Sequence, residues 1–180
     1  EIYAMLAYSA RRVRTTVLTN AMILRGERLK QLVALAGEVP AETFIVQVSL
    51  DGGRPEEHDA YRGMGSWEKT VEGIYLLQER GFRVRIGTTE TQVNSPHLDK
   101  ICEFHRSLGI PDEDHFVRSL AKRGYSREGL ELDIRKLVPE LTVNVDGIFW
   151  HPLSTDGDMQ VSRVIFPLEV IERPRPLLLL

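Results

Sequence analysis

The stretch Thr43 to Gly53, reading Thr-Phe-Ile-Val-Gln-Val-Ser-Leu-Asp-Gly-Gly, limits what this chain can fold into more than any other. Phe44 to Leu50 is apolar and β-branched enough to predict a strand buried on both faces, the kind that parallel sheets contain. It gives way to polar residues and glycine at its carboxyl end, where α/β barrels and open α/β sheets keep their chemistry. Ser49 and Asp51 are two apart, so a regular strand would point both to one face. A glycine-rich loop is expected to carry Arg62 and to run to about Gly65, with a helix beginning near Ser66. A hydroxyl, a carboxylate and a guanidinium at one strand end suit a ligand bearing hydroxyls and a carboxylate.

The flanking sequence repeats a strand–helix alternation. Helical spacing over 1–11 leads to a strand at 14–19, and Arg25–Gly37 places Leu29, Leu32, Val33 and Ala36 on one helical face. Trp67, Val71, Ile74, Tyr75 and Leu77 give the helix after Ser66 its apolar stripe, with Gly81 set to end it. A strand over 83–88 follows, ending at Thr88, Thr89 and Glu90. Ser95–Pro96 reads as a helix start, with Ile101, Phe104, His105 and Leu108 on one face and Gly109 as the stop. His115–Leu120 is a short strand. Helices of this length between strands imply βαβ units and a parallel sheet. After Pro139 the pattern changes: Leu141–Val145 alternates, Asp146–Gly147 marks a hairpin turn, Ile148–His151 returns, and Met159–Ile165 offers a further strand.

Four segments in this order resemble the radical S-adenosylmethionine (radical SAM) enzymes, especially the SPASM branch with its cysteine-rich C-terminal extension. They are Val13–Asn20, where the family's Thr-Asn-Gly has Ala21 in place of the glycine; Ser49–Leu50–Asp51–Gly52 with His58–Asp59 and Arg62–Gly63–Met64–Gly65–Ser66; Gly81–Thr89; and Leu108–Ile110 with His115–Arg118 and Arg123–Gly129. The resemblance covers most of residues 1–130. It implies an α/β fold: an incomplete parallel (β/α) barrel, a partial TIM-like barrel, over 1–138. A C-terminal β-hairpin extension over 139–180, with a disordered tail around Arg173–Leu177, would resemble a degenerate SPASM segment. At Trp150–Ser154 that segment has no cysteine, so auxiliary clusters are not expected.

By this resemblance Ser49 would hydrogen-bond the ribose or methionyl part of S-adenosylmethionine. Arg62 would pair with its carboxylate through a bidentate fork. Asp51 is expected to converge with them on the cofactor site at the carboxyl edge of the sheet, and Asn20 could reach the same pocket or cap the Arg25–Gly37 helix. Thr88 and Thr89 would line the substrate side, and Glu90 reads as part of a solvated turn. The plainer alternative is that Asp51 caps a turn while Arg62 pairs with a neighbouring acid.

The family's activity is oxidoreductase-like: a reduced [4Fe–4S] cluster cleaves S-adenosylmethionine to a 5′-deoxyadenosyl radical that abstracts hydrogen. Cluster binding needs cysteine thiolates, and Cys102 is the one cysteine here. The Cys-x-x-x-Cys-x-x-Cys loop is missing, and the chain opens at Glu1 inside a helical pattern. A fragment is therefore expected, inactive alone. The alternative is a degenerate, non-catalytic barrel serving as a binding or scaffolding module.

A net charge of −3 gives no reason to expect nucleic acid or an anionic membrane as partner. The expected partners are the small-molecule cofactor and a substrate that is either a peptide or a small molecule. Arg11–Arg14 reads as a helix C-terminus complementing its dipole. One cysteine fits a reducing compartment, and no signal or spanning segment is apparent, so the expected location is cytoplasmic. His58–Asp59 is expected to shape the backbone before Arg62. The histidines show no metal-ligand spacing, and Cys102, beside Ile101 and Phe104, reads as a buried inert thiol. His151, Asp156 and Asp158 read as an exposed hairpin loop, and no metal ligands are assigned.

Overall fold

The structure is a computed structural model that describes residues 1–122, 127–131, 137, 139–152 and 159–165. The chain divides into two compact units, Glu1–Ser119 and Leu120–Leu180.

The first unit alternates helices and strands: α1 (Ile2–Ala10), β1 (Thr15–Thr19), α2 (Gly26–Ala36), β2 (Phe44–Ser49), α3 (Pro55–Arg62), α4 (Ser66–Glu79), β3 (Val84–Glu90), α5 (Leu98–Ser107) and β4 (His115–Ser119). The four strands form one parallel sheet in sequence order, β1-β2-β3-β4. Parallel pairing follows from the helices between the strands, since a hairpin cannot return a strand in the same direction. Phe44, Val46, Val48 and Leu50 alternate with Gln47 and Ser49. The first set joins Val84, Ile86 and the apolar sides of α1, α2 and α4 in one core. Burying such side chains stabilises the unit by about 1.5–3 kcal/mol each.

Two features depart from expectation. The segment expected as a loop before Gly65 holds α3. Pro55 starts the helix and Glu56 and Glu57 occupy its first turn, where fixed φ and negative charge favour helix. Arg62 thus sits on the last turn of a helix rather than in a loop. Gly52 permits this turn, because a Cβ there would stand 2.5 Å from the Glu57 Cβ and 2.8 Å from the His58 nitrogen. Second, β3 runs on to Glu90, because Thr89 and Glu90 pair with Arg118 and Ser119 of β4. Glu90 is no solvated turn: its two oxygens accept the Ser95 and Ser119 hydroxyls at 2.7 and 2.8 Å.

Ala21 adopts a left-handed φ of +59°, the conformation that a glycine would supply without strain. Gly73 of α4 packs directly on it, leaving 2.6 Å between a Cβ at that position and the Ala21 carbonyl oxygen. The basic run after α1 acts at a helix end, as expected. Arg12 donates to the Tyr8 carbonyl at 3.0 Å, and Arg11 pairs with Glu38.

In the second unit β5 (Thr142–Asn144), β6 (Gly147–Phe149) and β7 (Gln160–Ser162) form an antiparallel sheet in that order. The hairpin turn falls on Val145–Asp146 rather than Asp146–Gly147, since Asn144 pairs with Gly147 and its side chain accepts the Asp146 N–H at 2.8 Å. Ile148 and Met159 are fully buried. Asp156, Asp158, the tail expected to be disordered, and Arg123–Ser126 lie outside the described residues. Among the described residues no helix is long and apolar enough to cross a membrane.

Candidate functional site at the carboxyl edge of the sheet

Asp51 is the first polar group past β2, 1% exposed. Its Oδ2 accepts Arg62 Nε at 2.5 Å and its Oδ1 accepts the Thr89 N–H at 2.7 Å. Its own N–H donates to His58 Nδ1 at 3.0 Å, and its carbonyl accepts Asn94 Nδ2 at 2.7 Å. Asn94 also donates to the Thr89 carbonyl at 2.8 Å. Asp51 therefore locks the ends of β2 and β3 to each other and to α3. A buried carboxylate needs such partners, because taking it out of water unpaired is costly.

Arg62 uses only Nε in this bond. Its terminal nitrogens have no partner among the described residues, and its side chain keeps 32% exposure. The sequence alternative of a simple acid pair is thus realised with Asp51 itself, while the outer edge of the guanidinium stays available. Ser49 points to the face of β2 away from the helices, opposite Gly87 of β3. Its half-buried hydroxyl makes no hydrogen bond among the described residues, neither to Asp51 nor to Arg62. Gln47 lies beside it, its Nε2 near the place a Gly87 side chain would take.

The other candidates are placed differently. Asn20 follows β1, the neighbour of β2. Its Oδ1 accepts the Met22 N–H at 3.2 Å, a local turn, and its carbonyl accepts the Thr70 hydroxyl at 3.0 Å. It neither caps α2 nor reaches Asp51. Thr88 shares the helix-facing side of β3 with Val84 and Ile86. Its hydroxyl donates to the Leu50 carbonyl at 2.7 Å and lies 2.8 Å from His115 Nε2. Thr89 lies on the opposite face, beside Asp51.

His58 and Asp59 shape the backbone, as expected. His58 is fully buried, and its Nε2 has no hydrogen-bond partner among the described residues. Burial pushes its pKa below the ordinary value, assisted by Arg62 and opposed by Asp51 and Asp59. The Asp59 carboxylate accepts Gly65 N–H at 2.6 Å, Trp67 N–H at 2.8 Å and the Ser66 hydroxyl at 2.9 Å, capping α4 from the neighbouring helix. Burial alone would raise its pKa, but these donors outweigh it and hold the carboxyl below its usual range. Trp67 Nε1 donates to the Gly52 carbonyl at 3.0 Å, and its ring stacks on Phe104 at 5.5 Å.

The fold assembles from α5 and β4 a cluster that the sequence reading did not predict: Cys102, His105 and His115. The pair Cys102-x-x-His105 was its one legible element, since residues three apart share a helix face. Cys102 is half-buried.

The architecture is that of an α/β protein with a parallel sheet whose carboxyl edge carries converging polar groups. The AdoMet-dependent heme synthase of Methanosarcina barkeri is 34% identical over 98 residues, 54% of this chain and 26% of that protein. The subtilosin biosynthesis protein AlbA of Bacillus subtilis is 32% identical over 97 residues, 53% of this chain and 20% of that protein. Native anSMEcpe with bound AdoMet and Cp18Cys peptide superposes at a TM-score of 0.46 and 16% identity, over 64% of this chain and 32% of that one. No family model matches. In sequence the chain is similar to radical SAM enzymes of the SPASM type. It spans about a quarter of the length of the curated relatives it matches.

Proposed function

We propose that residues 1–119 form the nucleoside-side wall of a radical SAM barrel and bind S-adenosylmethionine at the carboxyl edge of β2. The observation that carries this reading is the Asp51–Arg62 pair. A buried carboxylate fixes the guanidinium through Nε and leaves its terminal nitrogens without a partner among the described residues, the geometry a ligand carboxylate accepts from. Ser49 adds a hydroxyl with no partner among the described residues, suited to ribose or methionyl oxygen. Asp51 is here a positioning residue, and Thr89, on the open face, is the better placed of the two threonines to meet a substrate.

A [4Fe–4S] cluster does not fit the residues of this chain, which hold one cysteine against the three thiolates the family's loop supplies. Its ligands would come from outside these 180 residues. Within the proposed whole enzyme the role of this part is to bind, orient and exclude water. One relative is named for heme and the other for a bacteriocin, so the proposal spans small-molecule and peptide substrates. The single cysteine also favours a second reading, a non-catalytic barrel that keeps ligand affinity without radical chemistry. Coding sequence on the 5′ side of Glu1 separates the two: an in-frame Cys-x-x-x-Cys-x-x-Cys loop selects the enzyme.

Titration calorimetry of the chain with S-adenosylmethionine tests the binding step. Weak binding is expected, with Arg62→Ala losing roughly 10- to 150-fold, the equivalent of one charged hydrogen-bonded pair at about 1.5–3 kcal/mol. Equal affinity in the wild-type chain, Ser49→Ala and Arg62→Ala would overturn the assignment.

A further inference from the structure

We propose that Cys102, His105 and His115 form a binding site for one divalent cation of the zinc class, independent of the S-adenosylmethionine reading. Their ligand atoms lie within 4.8 Å of one another, and hydrogen bonding fixes which ring nitrogens are free. The Thr88 hydroxyl has a single proton, and it goes to the Leu50 carbonyl at 2.7 Å. Toward His115 Nε2, at 2.8 Å, Thr88 must therefore accept. His115 is then protonated on Nε2 and bare on Nδ1, which faces Cys102 Sγ at 3.8 Å. His105 Nδ1 faces the Ile110 carbonyl at 3.0 Å, a group that only accepts. Nδ1 therefore carries a proton, and in the neutral ring Nε2 is the nitrogen open to a metal.

His115 thus turns a lone pair to the thiol, and each ring has its other nitrogen bound to protein oxygen. That outer arrangement is how metal-ligating histidines are held. Asp112 Oδ1 stands 3.6 Å from His105 Nε2. A carboxylate oxygen facing a ring lone pair is repulsive, and a cation between the ligands relieves it. Tetrahedral coordination with metal–nitrogen distances of about 2.0 Å and metal–sulfur of about 2.3 Å places donor atoms roughly 3.3–3.6 Å apart. The Cys102–His115 separation is already near that value, and the rest closes by up to about 1.5 Å of side-chain adjustment. Two nitrogens and a thiolate select Zn²⁺ over Mg²⁺ or Ca²⁺. Three protein ligands leave a fourth position for water. The bound ion would clip α5 to β4, the last strand of the parallel sheet.

The full chain, reduced and freed of metal, is titrated with Co²⁺ and then Zn²⁺. The expected result is one equivalent of Co²⁺ with a thiolate-to-cobalt charge-transfer band, displaced by Zn²⁺ and absent in Cys102→Ser. Thr88→Val, which removes the group orienting His115, should weaken the metal by about tenfold or more. Imidazole ¹⁵N shifts of the unsubstituted chain give a readout that needs no variant: Zn²⁺ should move His105 Nε2 and His115 Nδ1. No charge-transfer band, zinc-insensitive nitrogens, or a doubly protonated His105 ion-paired to Asp112 in the presence of Zn²⁺ would overturn the site.

Discussion

Ser49 and Asp51 are two residues apart on one strand end, yet they do unlike work. Asp51 is spent internally, on Arg62 and on the Thr89 N–H, whereas Ser49 has no hydrogen-bond partner among the described residues. Asp51→Ala should therefore destabilise the chain by about 1–3 kcal/mol, the cost of orphaning a buried donor. Ser49→Ala should stay within about 0.5 kcal/mol. Urea unfolding followed by circular dichroism measures both, and a Ser49→Ala loss as large as that of Asp51→Ala would mean that Ser49 is structural. His58 adds a pH dependence. Its folded pKa lies below the ordinary value near 6.5, so the unfolded chain binds the extra proton first. Its contribution is complete above that value and is lost as pH falls through the depressed folded pKa. Unfolding midpoints measured from neutral to mildly acidic pH should fall in the native chain and fall less in His58→Gln.

Among the elements, α3 and α4 are joined by a cap that neither contains alone. Asp59 sits on α3 and accepts N–H groups at the start of α4, so Asp59→Ala should lower stability, as the loss of an N-cap does. Because the Asp59 carboxyl is held below its usual range, this contribution is present above the unfolded carboxylate pKa and disappears as pH falls through the folded one. Denaturant midpoints of the variant and the parent should accordingly converge in strong acid. Midpoints differing by the same amount at every pH would place the cap elsewhere. Gly73 and Ala21 make a second such joint, where the missing side chain on α4 lets helix and strand end meet.

At the scale of the first unit, β2 and β3 are the inner strands of the sheet while β1 and β4 are its edges. Leu18 of β1 is 64% exposed and Val117 of β4 41%, against fully buried Val48 and Ile86. Amide exchange should be slowest in β2 and β3, because their opening requires the core to open. Faster exchange in β2 than in β1 would contradict the strand order.

The strand at Phe44–Leu50, the helices after Arg25 and Ser66 and the parallel pairing were legible because hydrophobic period and glycine stops are local signals. The two-turn helix at Pro55 was hidden, since half of its residues are charged and its apolar stripe is short; Glu57 and His58 are nevertheless buried in it. The candidate site shows the same division. Residue types at the end of β2 marked Ser49, Asp51 and Arg62, because composition at a strand end is written in sequence. That Asp51 would occupy Arg62 Nε, that Thr88 would turn inward, and that Cys102 and His105 would meet His115 depended on register between strands and on the seating of α5. Those are contacts between residues far apart in the chain, whose energies exist only once the backbone has closed around them.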